Sequence, residues 1–235
     1  MARKKGPQIE QAYQYVLNKI FNYELKPGDI ISDNALAEEL NMSRTPVREA
    51  IIMLTADGLV ESRDYKTCVS SFGLQDIVDL CQARGAIERA SVELILDRGG
   101  LTDAQKSELQ SVFGEIEDAL GSDDYERFNL SDEMFHNKLV EYSGNRQFVE
   151  ITRRICIQVQ RTKAINRFFF ANRRPSFRDE HFAILENLVN NRREPCLEAI
   201  REHIQRSIES LRALLQDESM RSAISFFQSI YQHGI

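Results

Sequence analysis

The chain has 235 residues, of which 42% are hydrophobic and 28% charged, enough apolar side chains for one large core or two small ones. No apolar run approaches the roughly 20 residues of a membrane span, and none follows the basic cluster Arg3, Lys4, Lys5, so neither a membrane protein nor a signal peptide is expected. The net charge of −6 argues against broad nonspecific binding to nucleic acid. Cys68, Cys81, Cys156 and Cys196 form no C-x-x-C pair, which points away from a zinc knuckle or redox motif and toward a reduced, cytoplasmic protein.

A first helical pattern is interrupted at Pro27-Gly28. Ser32 or Asp33 can cap a short helix with Leu36, Ala37 and Leu40 turned inward, and Asn41 tolerates the left-handed conformation that ends it. Thr45 is then a natural N-cap and Pro46 suits the first helical position of a second helix. Its buried stripe is Val47, Ala50, Ile51 and Leu54. After Gly58, two β-prone runs, Leu59–Ser62 and Thr67–Ser70, flank the polar tetrad Arg63-Asp64-Tyr65-Lys66 and read as a hairpin. Two short helices, a tight turn and a hairpin make a winged helix-turn-helix.

From Leu74 onward, apolar spacings of three and four predict helices over 74–98, 102–120, 124–142, 147–170, 177–190 and 195–215. Breaks are expected at Gly99-Gly100, Gly121-Ser122, Ser143-Gly144-Asn145 and near Pro175, with a last amphipathic stretch at Ser219–Tyr231. The fold class is therefore mainly α: a winged helix-turn-helix domain over 1–72, and an antiparallel all-helical bundle over 73–235.

Arg44 and Arg48 lie four apart at the start of the second short helix and project from one side, with Thr45 beside them. A recognition helix sets such residues against base edges, where arginine can bind guanine bidentately. Ser43, Thr45 and Lys66 of the wing can donate to the DNA backbone. The plainer alternative is that both arginines pair with a neighbouring acid on a solvated face. Up to residue 70 the chain carries nine basic and ten acidic residues, so DNA binding must come from local arrangement of charge.

Leu25-Lys26-Pro27-Gly28-Asp29, Leu36-Ala37-Glu38-Glu39-Leu40, Ser43-Arg44-Thr45-Pro46-Val47-Arg48-Glu49-Ala50 and Asp57-Gly58-Leu59-Val60 together resemble the GntR family of transcriptional regulators. The resemblance implies a homodimer on a near-palindromic DNA operator, with Arg44, Thr45 and Arg48 as contacts. The family's wing usually carries glycine at its tip. Here Asp64 stands in the tip tetrad, where phosphate would repel it.

Three of the four histidines, His136, His181 and His203, fall on apolar helical faces, and Asp132 lies one turn before His136. Turned toward one core, they are costly unless paired. Three imidazoles and a carboxylate make a set for zinc, nickel or another divalent ion. The alternative is three unrelated core histidines, each bonded to a backbone or acidic partner. Arg84 shares a face with Ile77, Leu80, Ile87 and Ser91, and its fork matches a carboxylate, either Glu88 in an internal salt bridge or that of a ligand. Arg161 is a second candidate for the same pocket.

The strings Asp132-Glu133-Met134-Phe135-His136, Asp179-Glu180-His181 and Ala199-Ile200-Arg201-Glu202-His203 look like the FCD ligand-binding domain of the FadR-like branch. That resemblance implies a divalent metal on Asp132, His136, His181 and His203, with a small carboxylate effector shared by the metal and Arg84. The expected function is a ligand-responsive transcriptional regulator, with repression as the expected sign. The alternatives are a direct metal sensor and, last, a metal-dependent hydrolase, for which no general base is evident.

Overall fold

The computed structural model describes residues 6–216, with side chains throughout that span except at residues 74, 162–175 and 214–216. Among these residues the chain divides after Gly73 into two compact units. The stretch predicted at Ser219–Tyr231, the basic cluster before Gly6, and His233 lie outside the described residues.

In the first unit, α1 (Pro7–Phe21) opens with proline at its first turn and buries Ala12, Tyr13, Val16, Leu17 and Ile20, a helical stripe that packs on α3. Helix α2 (Asp33–Glu39) is capped by Ser32, whose hydroxyl accepts from the Ala35 N–H at 3.3 Å, and Asn41 takes the left-handed φ of 49° after it. Helix α3 (Arg44–Ala56) buries Pro46, Val47, Ala50 and Leu54. It starts earlier than its sequence predicts: Ser43, extended at φ −70° and ψ 160°, is the N-cap, and Thr45 is already helical. Pro46 is tolerated at the third position because the first four helical N–H groups have no intrahelical partner to lose. Tyr13 donates to Asp57 Oδ2 at 2.7 Å, a buried bond that fixes α1 to the end of α3.

Strands β1 (Val60–Arg63) and β2 (Lys66–Val69) pair antiparallel with Val60 opposite Val69 and Arg63 opposite Lys66. The segment before α2 lies along β2, with Ile30 bridging Cys68 and the Gly28 N–H donating to Val69 O. Asp64 and Tyr65 join the strands in a two-residue turn with φ of 50° and 61°. This is the left-handed geometry of a type I′ hairpin, which Asn-Gly adopts most readily.

The second unit comprises α4 (Leu74–Asp97), α5 (Asp103–Ser122), α6 (Tyr125–Tyr142), α7 (Arg146–Val159), a 3-10 turn at Gln160–Thr162, α8 (Lys163–Val189) and α9 (Arg193–Gln216). Thr102 and Gln105 form a capping box at α5, while Asp124 and Asn145 cap α6 and α7. Helix α4 packs against α6, α7 and α9, α5 against α6 and α8, and α8 against α9. Val92, Ile95, Leu109, Ile116, Phe135, Leu139, Ile184, Leu188 and Ile200 form the centre of the core.

Two boundaries differ from expectation. The predicted helix over 147–170 is interrupted at Gln160–Thr162, and α8 runs through Pro175 without the predicted break. A three-residue 3-10 turn leaves the apolar spacing almost intact, so periodicity does not register it. An interior proline costs about 3 kcal/mol or more. The helix continues beyond it because Phe177, His181, Ile184, Leu185 and Leu188 are all buried against the bundle.

Gly85 lets α9 approach α4: a Cβ there would stand 2.6–2.8 Å from three carbons of the Ile204 side chain. Gly85→Ala is therefore expected to destabilise the helical unit by about 1–3 kcal/mol, the scale of core overpacking, read as a lower denaturation midpoint by circular dichroism. Tyr65→Gly should act oppositely in the first unit. Relief of a left-handed tyrosine, offset by glycine's greater chain entropy, is expected to stabilise the hairpin by up to about 1 kcal/mol, checked by the melting transition of that unit.

Candidate functional site

In the first unit, Ser43, Arg44, Thr45 and Arg48 are all exposed at the start of α3, and Lys66 is exposed at the first position of β2. Val47 and Ala50 anchor the opposite face of α3 in the core, which leaves the polar residues facing outward. Both arginines already share a partner. Asp33, the first residue of α2, accepts through Oδ2 from Arg44 Nη2 at 2.9 Å and Arg48 Nε at 2.6 Å. The Arg44 and Arg48 hydrogen bonds hold its carboxyl below the usual carboxylate range. The pairing acid thus comes from the neighbouring helix, a contact that spacing within α3 does not reveal.

In the second unit, three helices bring the predicted histidines together: His136 from α6, His181 from α8 and His203 from α9, each at most 4% exposed. Their ligand atoms lie within 4.8 Å of one another. Each Nδ1 faces an oxygen that can only accept. His136 Nδ1 lies 2.9 Å from Glu88 Oε2, His203 Nδ1 2.9 Å from Glu180 Oε2, and His181 Nδ1 2.7 Å from the Phe177 carbonyl. Every Nδ1 therefore donates, and in the neutral rings every Nε2 is a lone pair.

Those lone pairs converge. His181 Nε2 is 3.3 Å from His136 Nε2 and 3.0 Å from Asp132 Oδ1, and His136 Nε2 is 3.8 Å from the same carboxylate oxygen. Donors bound at about 2.0–2.2 Å to one ion sit roughly 3.0–3.5 Å apart; both His181 separations fall in that range, the His136–Asp132 separation is wider, and the donor set fits a divalent metal in its chemistry. A proton on His181 is the alternative way to satisfy Asp132. Burial pushes His181 down, but the Asp132 contact outweighs it and holds the imidazole above its ordinary value. Burial pushes His203 down to about 4, with the adjacent imidazoles adding to the effect against Glu180. Burial pushes the Asp132 carboxyl up, yet His136, His181 and Arg84 together hold it below the usual range.

Asp132, at 23% side-chain exposure, is the open side of the cluster. It lines a cavity of about 120 Å³ together with Arg84, Cys81, Asn129, Ser207 and Leu211, and a smaller one of about 50 Å³ with Arg84, Cys156 and Gln160. Arg84 Nε lies 2.9 Å from Glu88 Oε1, the internal salt bridge that sequence left open, while its side chain still reaches the cavity wall. Arg161 stands in the 3-10 turn after α7 and is not among the residues lining these two cavities.

A winged helix-turn-helix followed by an all-helical unit with a polar cluster at its centre defines a DNA-binding transcriptional regulator. The family model described as "Bacterial regulatory proteins, gntR family" matches residues 8–69, and that of the FCD domain matches residues 79–206. The chain belongs to the GntR family of regulators, in the FadR-like branch that carries an FCD domain. It is 27% identical over 217 residues to the HTH-type transcriptional regulator YdhC of Bacillus subtilis (strain 168), covering 91% of this chain and 95% of that one. It is 26% identical to the Nta operon transcriptional regulator of Aminobacter aminovorans, over 83% of this chain and 90% of that one. The fold is also that of the solved structure of E. coli McbR/YncC, at a TM-score of 0.67 and 21% identity over 88% of this chain and 98% of that one. The family and its named members are DNA-binding regulators and not enzymes, which removes the hydrolase reading. Among the described residues, no helix is long and apolar enough to cross a membrane.

Proposed function

We propose that the chain is a cytoplasmic, homodimeric repressor whose hold on a near-palindromic operator is released by a small carboxylate bound beside a divalent metal. The observation that carries this reading is the buried three-histidine cluster, with His181 and His136 Nε2 turned to Asp132 and Arg84 in the wall of the adjoining cavity. Asp132, His136, His181 and His203 would hold the ion, zinc or nickel, and the ion when bound supplies a positive point for a carboxylate oxygen.

The charge balance supports an anionic effector. Beside the cavity, Arg84 pairs with Glu88 and shares the wall with Asp132, a net single negative charge that repels anions; Glu180 has Arg206 at 3.8 Å. A divalent ion turns that balance positive. The protein then selects for a carboxylate only when metal is present, and Arg84 supplies the second anchor. Arg161 is retained as a candidate at the cavity's periphery, through its neighbour Gln160.

On the DNA side, Arg44 and Arg48 read base edges, while Ser43, Thr45 and Lys66 hold phosphates. Asp33 keeps both guanidiniums extended toward the exposed side before DNA arrives. The effector acts through a difference in affinity between the operator-competent and incompetent arrangements of the dimer, because two half-sites must be matched at fixed spacing.

Two expected outcomes check these roles. Arg48→Ala should weaken binding to a duplex selected in vitro by the wild-type protein by roughly 5–150-fold, the scale of about 1–3 kcal/mol for one bidentate contact, while zinc uptake stays unchanged. Unaltered duplex affinity would remove α3 as the reading helix. Elemental mass spectrometry of protein purified without chelators should find about one zinc or nickel per chain, lost in His136→Ala and in His203→Ala. Metal-free protein that also refuses added zinc and nickel would make the histidines structural.

A further inference from the structure

Glu88 is buried to 1% exposure inside α4 and touches both halves of the proposed effector site. One carboxylate oxygen, Oε2, accepts from His136 Nδ1 at 2.9 Å. The other, Oε1, lies 2.9 Å from Arg84 Nε, one helical turn earlier. The two contacts differ in kind. The imidazole contact is a hydrogen bond, whereas Oε1 receives no hydrogen bond of acceptable angle from the described residues, so Arg84 meets it as a charge without directing an N–H at it. The guanidinium therefore has donors to give elsewhere, and its side chain lines the same cavity wall as Asp132.

We propose that Glu88 is a positioning residue through which engagement of Arg84 by an anion sets the affinity of the histidine cluster for its metal. The inference rests on the metal-and-carboxylate reading above and deepens it. A carboxylate that accepts from a ligand's Nδ1–H makes the ring a stronger donor at Nε2, and changes in such partners shift metal affinity by about 10–100-fold. Arg84 draws the Glu88 charge away from His136. An anion that turns the guanidinium toward itself returns that charge to the imidazole, and metal binding tightens. By linkage, metal loading tightens the anion by the same factor.

The geometry also says why the acid is glutamate four residues after the arginine. On one helix that spacing stacks the two side chains, and the glutamate stem is long enough to present its second oxygen across to α6. Glu88 thereby joins a cavity-lining arginine to an imidazole of the cluster. Glu180 holds His203 similarly, but its basic neighbour Arg206 is half-exposed and lies outside both cavities.

A double-mutant cycle on zinc affinity tests the link without any effector. Arg84→Met stands in for a guanidinium withdrawn from Glu88, and Glu88→Gln keeps an acceptor for His136 Nδ1 while removing the charge. Zinc affinity of the full chain is measured by competition with a chromophoric chelator for wild type, both single variants and the double variant. Arg84→Gln repeats the cycle in case methionine disturbs packing. The expected result is that Arg84→Met tightens zinc at least about fivefold when Glu88 is present and by less than about twofold in the Glu88→Gln background, the non-additivity of residues in one network. A direct repulsion between Arg84 and the ion would persist undiminished in that background, and such additivity overturns the relay while leaving the metal reading intact. Absence of zinc and nickel uptake in all four proteins would instead overturn the metal reading itself, and the relay with it.

Discussion

The helical unit depends on placing three imidazoles and two carboxylates in its middle without leaving their charges uncompensated. Glu88 and Glu180 are buried as deeply as the leucines around them, and each is matched to one histidine Nδ1 at 2.9 Å. A lone buried carboxylate is costly, whereas a hydrogen-bonded one beside a cation is tolerated. Burial raises the Glu88 carboxyl, but His136 and Arg84 together hold it below its ordinary range. Because each pair draws on two helices, α4 with α6 and α8 with α9, the polar bonds fix the rotational setting of the helices. The apolar layer of Ile95, Leu109, Ile116, Leu139 and Leu188 packs beside them. Dispersion and burial provide the stability there, and the polar pairs add direction to the contacts between those helices.

The DNA-binding unit solves a different problem with the same device. A chain of net charge −6 has to present cations at one place. Pro46 and Val47 seat α3 in the core, so its first turn emerges with Arg44 and Arg48 on the outside. Asp33 then shares a single oxygen between the two guanidiniums. Exposed pairs of this kind contribute little stability. Their effect is conformational: two long, flexible side chains are held on one partner, which on the proposed reading would reduce the entropy lost when DNA orders them. A wing tip of Asp64 and Tyr65, both left-handed, keeps the hairpin to two residues without glycine.

Much of this was legible in the sequence, and the limits have physical causes. Proline, glycine and small polar caps marked the turn between α2 and α3 and the hairpin, because those residues act locally. The four-residue spacing of Asp132 and His136, and the apolar neighbours of His181 and His203, showed four donors pointing inward. What periodicity could not supply was pairing across helices. Glu180 sits beside His181 in sequence yet serves His203 on the next helix, and Asp33 serves arginines from 11 and 15 residues away. Glu88 was visible as a partner for Arg84, but its second bond to His136 spans 48 residues. Pro175 misled for the opposite reason: a strong local signal was overridden by tertiary burial of the half-helix after it.

The orientation of the cluster follows from which of its members is left open. The three histidines are sealed, and Asp132 alone is exposed to 23%, on the side where Arg84 and the cavity lie. With the imidazoles buried, a molecule entering the cavity meets Asp132 and Arg84 first. Those two groups carry opposite charges and compete for any polar guest. On the proposed reading, an ion on that carboxylate leaves the arginine to decide what else enters, and the preference would turn from cations to carboxylates. That would make the unit selective for an anion although most of the charge lining its centre is negative.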